Sequence, residues 1–419
     1  MTATTPRQLT YAEARERVLA AAPLLPAEQV AQRAAVGRAL RETITAPHAL
    51  PPFRNSAMDG YAVRVADLTL ATPTQPVTLR VAQVLPAGVA STHVLQPGEA
   101  ARIMTGAMLP EGADAIVPFE EAERLPYEDQ HDERCIIRRA SPLGDHVRAA
   151  GADIAAGAVV AAKGRELTAY DLALLASLGV AHVNVGRVPR VAVFSTGDEL
   201  LDIDAPLRPG AIRDSNMPML SQLVEAAGCI VSVAERLPDD VARVTERVRA
   251  AFEASDAVLT IGGVSAGDYD PVKLALESLG NIELWRVAMR PGRPQAFGTP
   301  GGKLFFGLPG NPASVACVFE VLVRPALRAM QGHAIPDRPR VPVRVGAAVE
   351  SRAGRTDFVR SALEWRDGSL WATPVGAQIS GHLVPQAQAD ALLVVPESAE
   401  RMRAGDAATA IVWRMVGGA

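Results

Sequence analysis

The sequence predicts a multidomain α/β protein: a module of βαβ units with a parallel-rich sheet, accompanied by separate β-rich modules. Three observations carry that prediction. At 419 residues the chain exceeds what one hydrophobic core usually serves. Between about residues 190 and 330, short apolar runs alternate with amphipathic stretches, which is the pattern of βαβ units. On either side of that region lie β-like pieces split by proline and glycine.

Near the start, residues 10–22 read as a helix, because Thr10 and Glu13 have capping-box spacing ahead of an alanine-rich amphipathic run. From 48 to 149 the pieces "PVTLRVAQVL", "ADAIVPFEEAER" and "RCIIRRA" predict a compact β-rich domain. Residues 150–186 return to alanine-rich helix around "LTAYDLALLASLGV", so the β-rich part reads as an insertion into a split helical domain. In the third region "RVAVFS", "CIVSVAER", "DAVLTIGG", "IELWRVAM" and "KLFFGLPG" are the expected strands. Helices are expected near 215–227, 239–254, 270–279 and 312–330. Ligands of such sheets bind at the carboxyl ends of the strands. After Pro336, "RVPVRVGAAVE", "ALLVVPE" and "ATAIVWRMV" predict a small C-terminal barrel or sandwich.

Composition narrows the function. A net charge of −4 argues against general binding to nucleic acid or anionic membranes, so any anion site must be built from local charge. Cys135, Cys229 and Cys317 are far apart and lack metal-ligand spacing; buried thiols in a reducing compartment are expected. Charges interrupt the apolar residues of "MTATTPRQLTYAEARERVLAAAPLLP", which does not read as a signal peptide. No segment approaches an uncharged membrane span, and a cytoplasmic protein is expected.

Four strand ends carry candidate chemistry. "FSTGDELLD" places Thr196, Gly197, Asp198 and Glu199 directly after a strand, either as a polar capping turn or as part of a site. "GGVSAGDYD" supplies Gly262, Gly263 and Gly267, whose permissive backbones can form a nest of N–H groups. Asp270 before Pro271 is also an ordinary helix start. "GLPGNPAS" repeats that grammar, with Asn311 as N-cap, Pro312 at N1 and Pro309 stiffening the approach; its helix N-terminus is a second candidate anion site. Between them, "WRVAMRPGRPQAFG" sets Arg286, Arg290 and Arg293 beside a glycine-proline turn, a candidate anion-binding patch.

Acids beside an anion cradle need an explanation. A helix N-terminus stabilises an exposed anion by about 0.3–1 kcal/mol. A carboxylate about 5 Å from one unit of the anion's charge costs roughly 3 kcal/mol at an effective dielectric near 20. Either the acids point away as caps, or a cation lies between them and the ligand. Hard oxygen donors and phosphate ligands favour Mg²⁺ for that role.

Five stretches occur together and in order: "LPPFRNSAMDGYAVR", "ARIMTGAMLPEGADAIVPFEE", "STGDEL", "GGVSAGDYD" and "GLPGNPAS". Together they closely resemble the MoeA family of molybdopterin molybdenumtransferases, to which the E domain of gephyrin also belongs. The resemblance covers nearly the whole chain. It implies an enzyme that places molybdenum from molybdate on adenylylated molybdopterin with release of AMP, giving molybdenum cofactor, with Mg²⁺ required. It implies four domains: a helical one of residues 1–47 and 150–186, an inserted β domain of 48–149, a molybdopterin-binding βαβ domain of 187–332 resembling the MogA-type adenylyltransferases, and a C-terminal β barrel of 333–419. It further implies an elongated homodimer, with the cleft between the βαβ domain of one subunit and the inserted domain of the other. Implied partners are molybdopterin adenylyltransferase and molybdoenzyme-maturation proteins.

Carried over residue by residue, the resemblance assigns catalytic roles to Asp59 in "SAMDGYA", Thr105 in "MTGA", Glu199, Asp239 in "LPDDVARV", and Asp270. Asp270, Glu199 and Asp239 are the implied Mg²⁺ ligands. Ser265 with the backbone at Gly262 and Gly263 is the implied ligand nest, and Pro309, Asn311 and Pro312 the implied binding loop. Where family members often carry lysines, this chain has Arg286, Arg290 and Arg293, which keep the charge but replace a point donor with a planar fork. "VGAQISGHL" is a looser match and carries Ser380. Two rival functions remain open at this point: a molybdopterin adenylyltransferase sharing the βαβ fold, and a non-enzymatic scaffold like gephyrin.

Overall fold

A computed structural model describes residues 7–125, 133–263 and 280–415. The chain divides into two compact units, one of Thr43–Ala162 and Ala173–Val180, the other of Met1–Glu42, Lys163–Leu172 and Ala181–Ala419.

The smaller unit is built on a six-stranded sheet in the order Ala115–Pro118, Gly60–Val63, Glu99–Ile103, Val77–Leu85, Arg134–Ile137, Ala122–Leu125. Strands Gly60–Val63, Glu99–Ile103 and Ala115–Pro118 are buried on both faces and read as largely apolar runs, whereas Val77–Leu85, Arg134–Ile137 and Ala122–Leu125 also present exposed residues. Tyr61, Val63, Ala115 and Val117 pack on one face, while Ala62 and Ile116 pack on the other. Strand Val77–Leu85 contributes to both. Its register against Glu99–Ile103 slips between Val81 and Gln83, which oppose the adjacent residues Ala100 and Ala101. That extra residue turns Leu85 to the face opposite Leu79 and Val81.

The larger unit contains the predicted βαβ module. Strands Ile230–Leu237, Arg190–Thr196, Ala257–Ile261 and Leu304–Leu308 are neighbours in that order and pair in parallel. Val191, Val193 and Leu259 face one core; Ala192, Phe194 and Val258 face another. Helix Asn216–Ala226 covers the first side with Leu220 and Val224, and helix Val241–Ala254 covers the second with Val244, Val248 and Ala251. The three- and four-residue spacing of these side chains is what puts each set on one helical face. The sheet is not parallel throughout: Ile282–Arg290 and Pro294–Gly298 form an antiparallel pair that joins Leu304–Leu308 at its edge. Helical residues from Pro312 to Gln331 follow, passing through a π turn at Phe319–Val323 and stopping at Gly332, which is left-handed at φ 91.

The predicted N-terminal helix spans Tyr11–Ala21 and has both bonds of the Thr10–Glu13 capping box. Strand Arg7–Thr10, ahead of it, adds in parallel to Ile282–Arg290. The described residues of 150–186 hold one helix, Ala169–Ser177, together with strands Val159–Ala161 and His182–Gly186, so that segment is less helical than its alanine content predicts. "HVNVG" alternates β-branched and polar residues, and its strand pairs with Ala27–Ala31.

After Pro336 the choice between barrel and sandwich is decided by closure. Arg340–Val345 pairs with Ser369–Pro374 and Ala407–Val412; Thr356–Arg366 pairs with Ser369–Pro374 and Ala391–Val395; and Ala391–Val395 pairs with Ala407–Val412. The ring has no open edge, which makes it a barrel. Met289 and Arg290 pair with Thr356 and Asp357, so the barrel continues the βαβ sheet. Among the described residues no helix is long and apolar enough to cross a membrane.

Candidate functional site

The chain leaves strand Arg190–Thr196, returns on one side as Ile230–Leu237 and crosses to the other side as Ala257–Ile261. This reversal is the switch point at which α/β sheets open a crevice for ligands. Thr196 Oγ1 donates to Ile261 O at 3.3 Å across it. Gly262 and Gly263 follow with φ of 92 and 74, and a Cβ on Gly262 would sit 3.0 Å from Thr196 Oγ1. The positive φ favours glycine at 262, and a Cβ there would press tightly on Thr196. Its N–H donates to Leu308 O at 3.0 Å, so Gly262 supplies the turn and not a free donor. Ser265 and Asp270 lie outside the described residues.

Three exposed acids gather at the same strand ends. Asp198 and Asp239 exchange bonds, each carboxylate accepting the other's backbone N–H at 3.3 Å. The neighbour Asp240 is the helix cap: its Oδ1 accepts Arg243 N–H at 2.6 Å, starting Val241–Ala254. Asp239 is thus free of the capping duty its sequence position offers. The Glu199 carboxylate folds over Gly197, where a Cβ would overlap it. Among the described residues no three His, Cys, Asp or Glu side chains converge as a metal cage. Two carboxylates still fit the Mg²⁺ pattern, in which ligand phosphates and waters complete the shell.

Beside these ends, in the same unit, opens a cavity of about 780 Å³ lined by Arg290, Arg293, Pro309, Asn311 and Ser380, all singled out by the sequence, and by Arg352 and Arg355. Among the described residues no acid lines it. The nearest compensation is the buried carboxylate of Asp357, which accepts Arg355 Nη2 at 3.1 Å and lies 4.0 Å from Arg290 Nη1. Four guanidinium groups against one carboxylate make a strongly anion-attracting concavity. Arg286 lies on the same exposed face of strand Ile282–Arg290 but does not line the cavity.

The barrel side of the cavity is organised by Arg360, only 2% exposed. Its guanidinium donates to His382 O at 2.9 Å, Ala377 O at 3.1 Å, Ile379 O at 3.0 Å and Gln378 Oε1 at 3.3 Å. Burial lowers the Arg360 pKa, as does the charge of Arg290. The clasped segment carries Ser380, whose carbonyl accepts Ala313 N–H at 3.0 Å. Pro312 has no N–H and the next donor is taken, so the helix N-terminus that the sequence offered as an anion site is already satisfied. Asn311 sits at the N-cap without a side-chain cap bond.

The second unit holds its own acid. Thr105 donates both its backbone N–H and its hydroxyl to Asp59 Oδ1, each at 2.6 Å. The hydroxyl bond first, then the N–H bond, hold the Asp59 carboxyl below its ordinary pKa. Sequence reasoning missed Arg352, Arg355, Arg360 and Gln378. "SRAGRTDFVR" shows the arginines, but their directions depend on the pairing register of strand Thr356–Arg366.

Comparison with known proteins places these features. Residues 9–179 match the model of the MoeA N-terminal region (domain I and II), 192–329 a probable molybdopterin binding domain, and 342–413 the MoeA C-terminal region (domain IV). The chain is 41% identical to molybdopterin molybdenumtransferase 2 of Mycobacterium tuberculosis over 377 residues, covering 88% of this chain and 91% of that protein. It is 35% identical to the molybdopterin molybdenumtransferase of Haemophilus influenzae over 96% of this chain and 98% of the relative. The crystal structure of the molybdopterin biosynthesis moeA protein from Pyrococcus horikoshii OT3 superposes with a TM-score of 0.83 at 29% identity, covering 97% of this chain and all (100%) of that one. With relatives this similar along nearly its whole length, and with the barrel and βαβ module in place, the chain belongs to the MoeA family of molybdopterin molybdenumtransferases.

Proposed function

We propose that this enzyme transfers molybdenum from molybdate to adenylylated molybdopterin and releases AMP, yielding molybdenum cofactor. The single observation that carries the reading is the juxtaposition, within one unit, of an acid-free arginine cavity and an acid-lined strand-end crevice. Molybdate and the phosphates of the pterin nucleotide are both anions, and each needs compensating charge. Arg290, Arg293, Arg352 and Arg355 supply it on one side. On the other, Glu199 and Asp239, with Asp270, are the residues that would hold Mg²⁺. When bound, the ion supplies charge neutralisation at the scissile phosphoanhydride.

The chain's own residues then bind and orient. The arginine forks fix oxyanions by paired hydrogen bonds, Arg360 keeps the Ser380 segment against the cavity, and the Gly262–Gly263 turn admits close approach of the ligand. Thr105 orients and stabilises the Asp59 carboxylate in the inserted unit, where it serves as the catalytic carboxylate. Described cysteines are all buried and suit no covalent role, so positioning carries the reaction. The enzyme works as a homodimer in the cytoplasm and receives its nucleotide substrate from a molybdopterin adenylyltransferase.

The direct test mixes the purified chain with adenylylated molybdopterin, Mg²⁺ and molybdate and follows AMP. Metal- and molybdate-dependent AMP release is expected, with a loss on the order of a hundredfold when Arg290 and Arg293 are both replaced by Ala. AMP release that ignores molybdate, or consumption of ATP with free molybdopterin, would overturn the reading.

A further inference from the structure

Helix Asn216–Ala226 begins at the edge of the crevice, and its first turn is tied to the sheet. Asp214, buried just ahead of it, accepts the backbone N–H groups of Asn216 and Met217 on one oxygen, each at 3.0 Å. Its other oxygen accepts Ser195 Oγ at 2.5 Å, near the end of the central strand Arg190–Thr196. The Asn216 backbone is thereby fixed relative to that strand.

The side chain of Asn216 reaches the loop that joins the two halves of the site. Its Nδ2 donates to Gly310 O at 2.7 Å. A carbonyl can only accept, so this bond defines the amide orientation and leaves Oδ1 on the inner side. There Oδ1 is buried without a hydrogen-bond partner. An unpaired buried acceptor is unfavourable, and a leucine of the same branched shape would avoid it. What asparagine supplies that an apolar residue cannot is the N–H for Gly310. Gly310 lies between Pro309 and Asn311, which line the arginine cavity, and packs against the Gly262 turn, with a Cβ on Gly310 falling 4.0 Å from the Gly262 Cα. One hydrogen bond therefore sets a loop that touches both the cavity and the crevice.

We propose that Asn216 is a positioning residue that, by holding Gly310 O, places Pro309 and Asn311 for binding of the tetrahedral oxyanion substrate. The proposal deepens the functional reading above and rests on it. Asn216→Leu keeps the branched shape and removes the donor without burying a charge; Asn216→Ala removes both the bond and the bulk. Molybdate binding to the full chain is measured by calorimetry, and AMP release is measured as a function of molybdate.

Wild type is expected to bind molybdate. Both variants are expected to melt near wild type, to bind molybdate about tenfold more weakly and to raise KM for molybdate by a similar factor, with kcat at saturation changed less than about threefold. A role in general stability would instead lower the melting temperature, so early melting of both variants counts against the proposal. If Asn216→Ala alone melts early, Asn216→Leu decides. Unchanged affinity and KM, or a loss confined to kcat, refutes the positioning role while leaving the functional reading intact. Failure of wild type to bind molybdate sinks both.

Discussion

Asp198 and Asp239 clasp each other at adjacent strand ends, each carboxylate accepting the other's backbone N–H at 3.3 Å. The two reciprocal bonds pin both exposed carboxylates at the mouth of the crevice. Asp240, one residue on, takes the helix-capping bond from Arg243 N–H, so the two neighbouring acids have separate work.

That division predicts a double dissociation. Asp240→Ala is expected to destabilise the fold by about 1 kcal/mol through the lost cap, with AMP release nearly unchanged. Asp239→Ala is expected to leave the melting temperature within a degree or two or raise it slightly, and to lower AMP release on the order of a hundredfold. Thermal melts and turnover on the same two variants check it; the reverse pattern would mean that the acids have been assigned the wrong way round.

Arg360 predicts a coupling between barrel and cavity. It donates to three carbonyls and to Gln378 from a nearly closed site, and no lysine ammonium can span that set. Arg360→Lys is expected to cost more than about 2 kcal/mol of stability and to weaken molybdate binding. Hydrogen exchange should quicken at residues 377–382 in the variant. Unaltered exchange there would remove Arg360 as the organiser of that segment.

The Asp59–Thr105 pair predicts a titration. Thr105→Val removes the hydroxyl bond that contributes most to keeping the Asp59 carboxyl acidic, so its pKa is expected to rise towards the ordinary carboxylate value when followed by NMR. Because the folded pKa is depressed, the associated stabilisation is present above the unfolded value, near pH 4, and is lost as pH falls through the folded one. Wild type and variant are therefore expected to differ in stability at neutral pH and to converge in acid.

The cysteines predict inertness. Burial pushes the Cys135 and Cys229 thiols up to about 12 and raises the Cys317 thiol as well. Iodoacetamide at pH 8 is expected to leave all three unlabelled in the native protein and to label them after unfolding, read by mass spectrometry. Rapid native labelling of any one would place it in an exposed site.

Legibility followed the range of the interactions. The Thr10–Glu13 cap spans one helical turn, and the apolar runs of the central strands announce burial on both faces, so both could be read along the chain. Glycine and proline marked the strand ends at 262–263 and 309–312 because turn conformations are local constraints. Alanine content across 150–186 masked the valines of "HVNVG", whose β-branched and polar alternation suits the strand that pairs with Ala27–Ala31.

Residue type and spacing within a turn or strand were enough to settle the kinds of element, their order, the family and the chemistry of the acids and arginines. Not legible along the chain were the closure of the C-terminal strands on themselves, the change of face of Val77–Leu85 at a bulge, the capping of the helix by Asp240 and not Asp239, and the joining of Arg352 and Arg355 to Arg290 and Arg293. Each of those outcomes is set by the register between segments far apart in the chain, or by which of two adjacent side chains points at the available donor. Such choices are made by packing across the core, and a one-residue slip would reverse them.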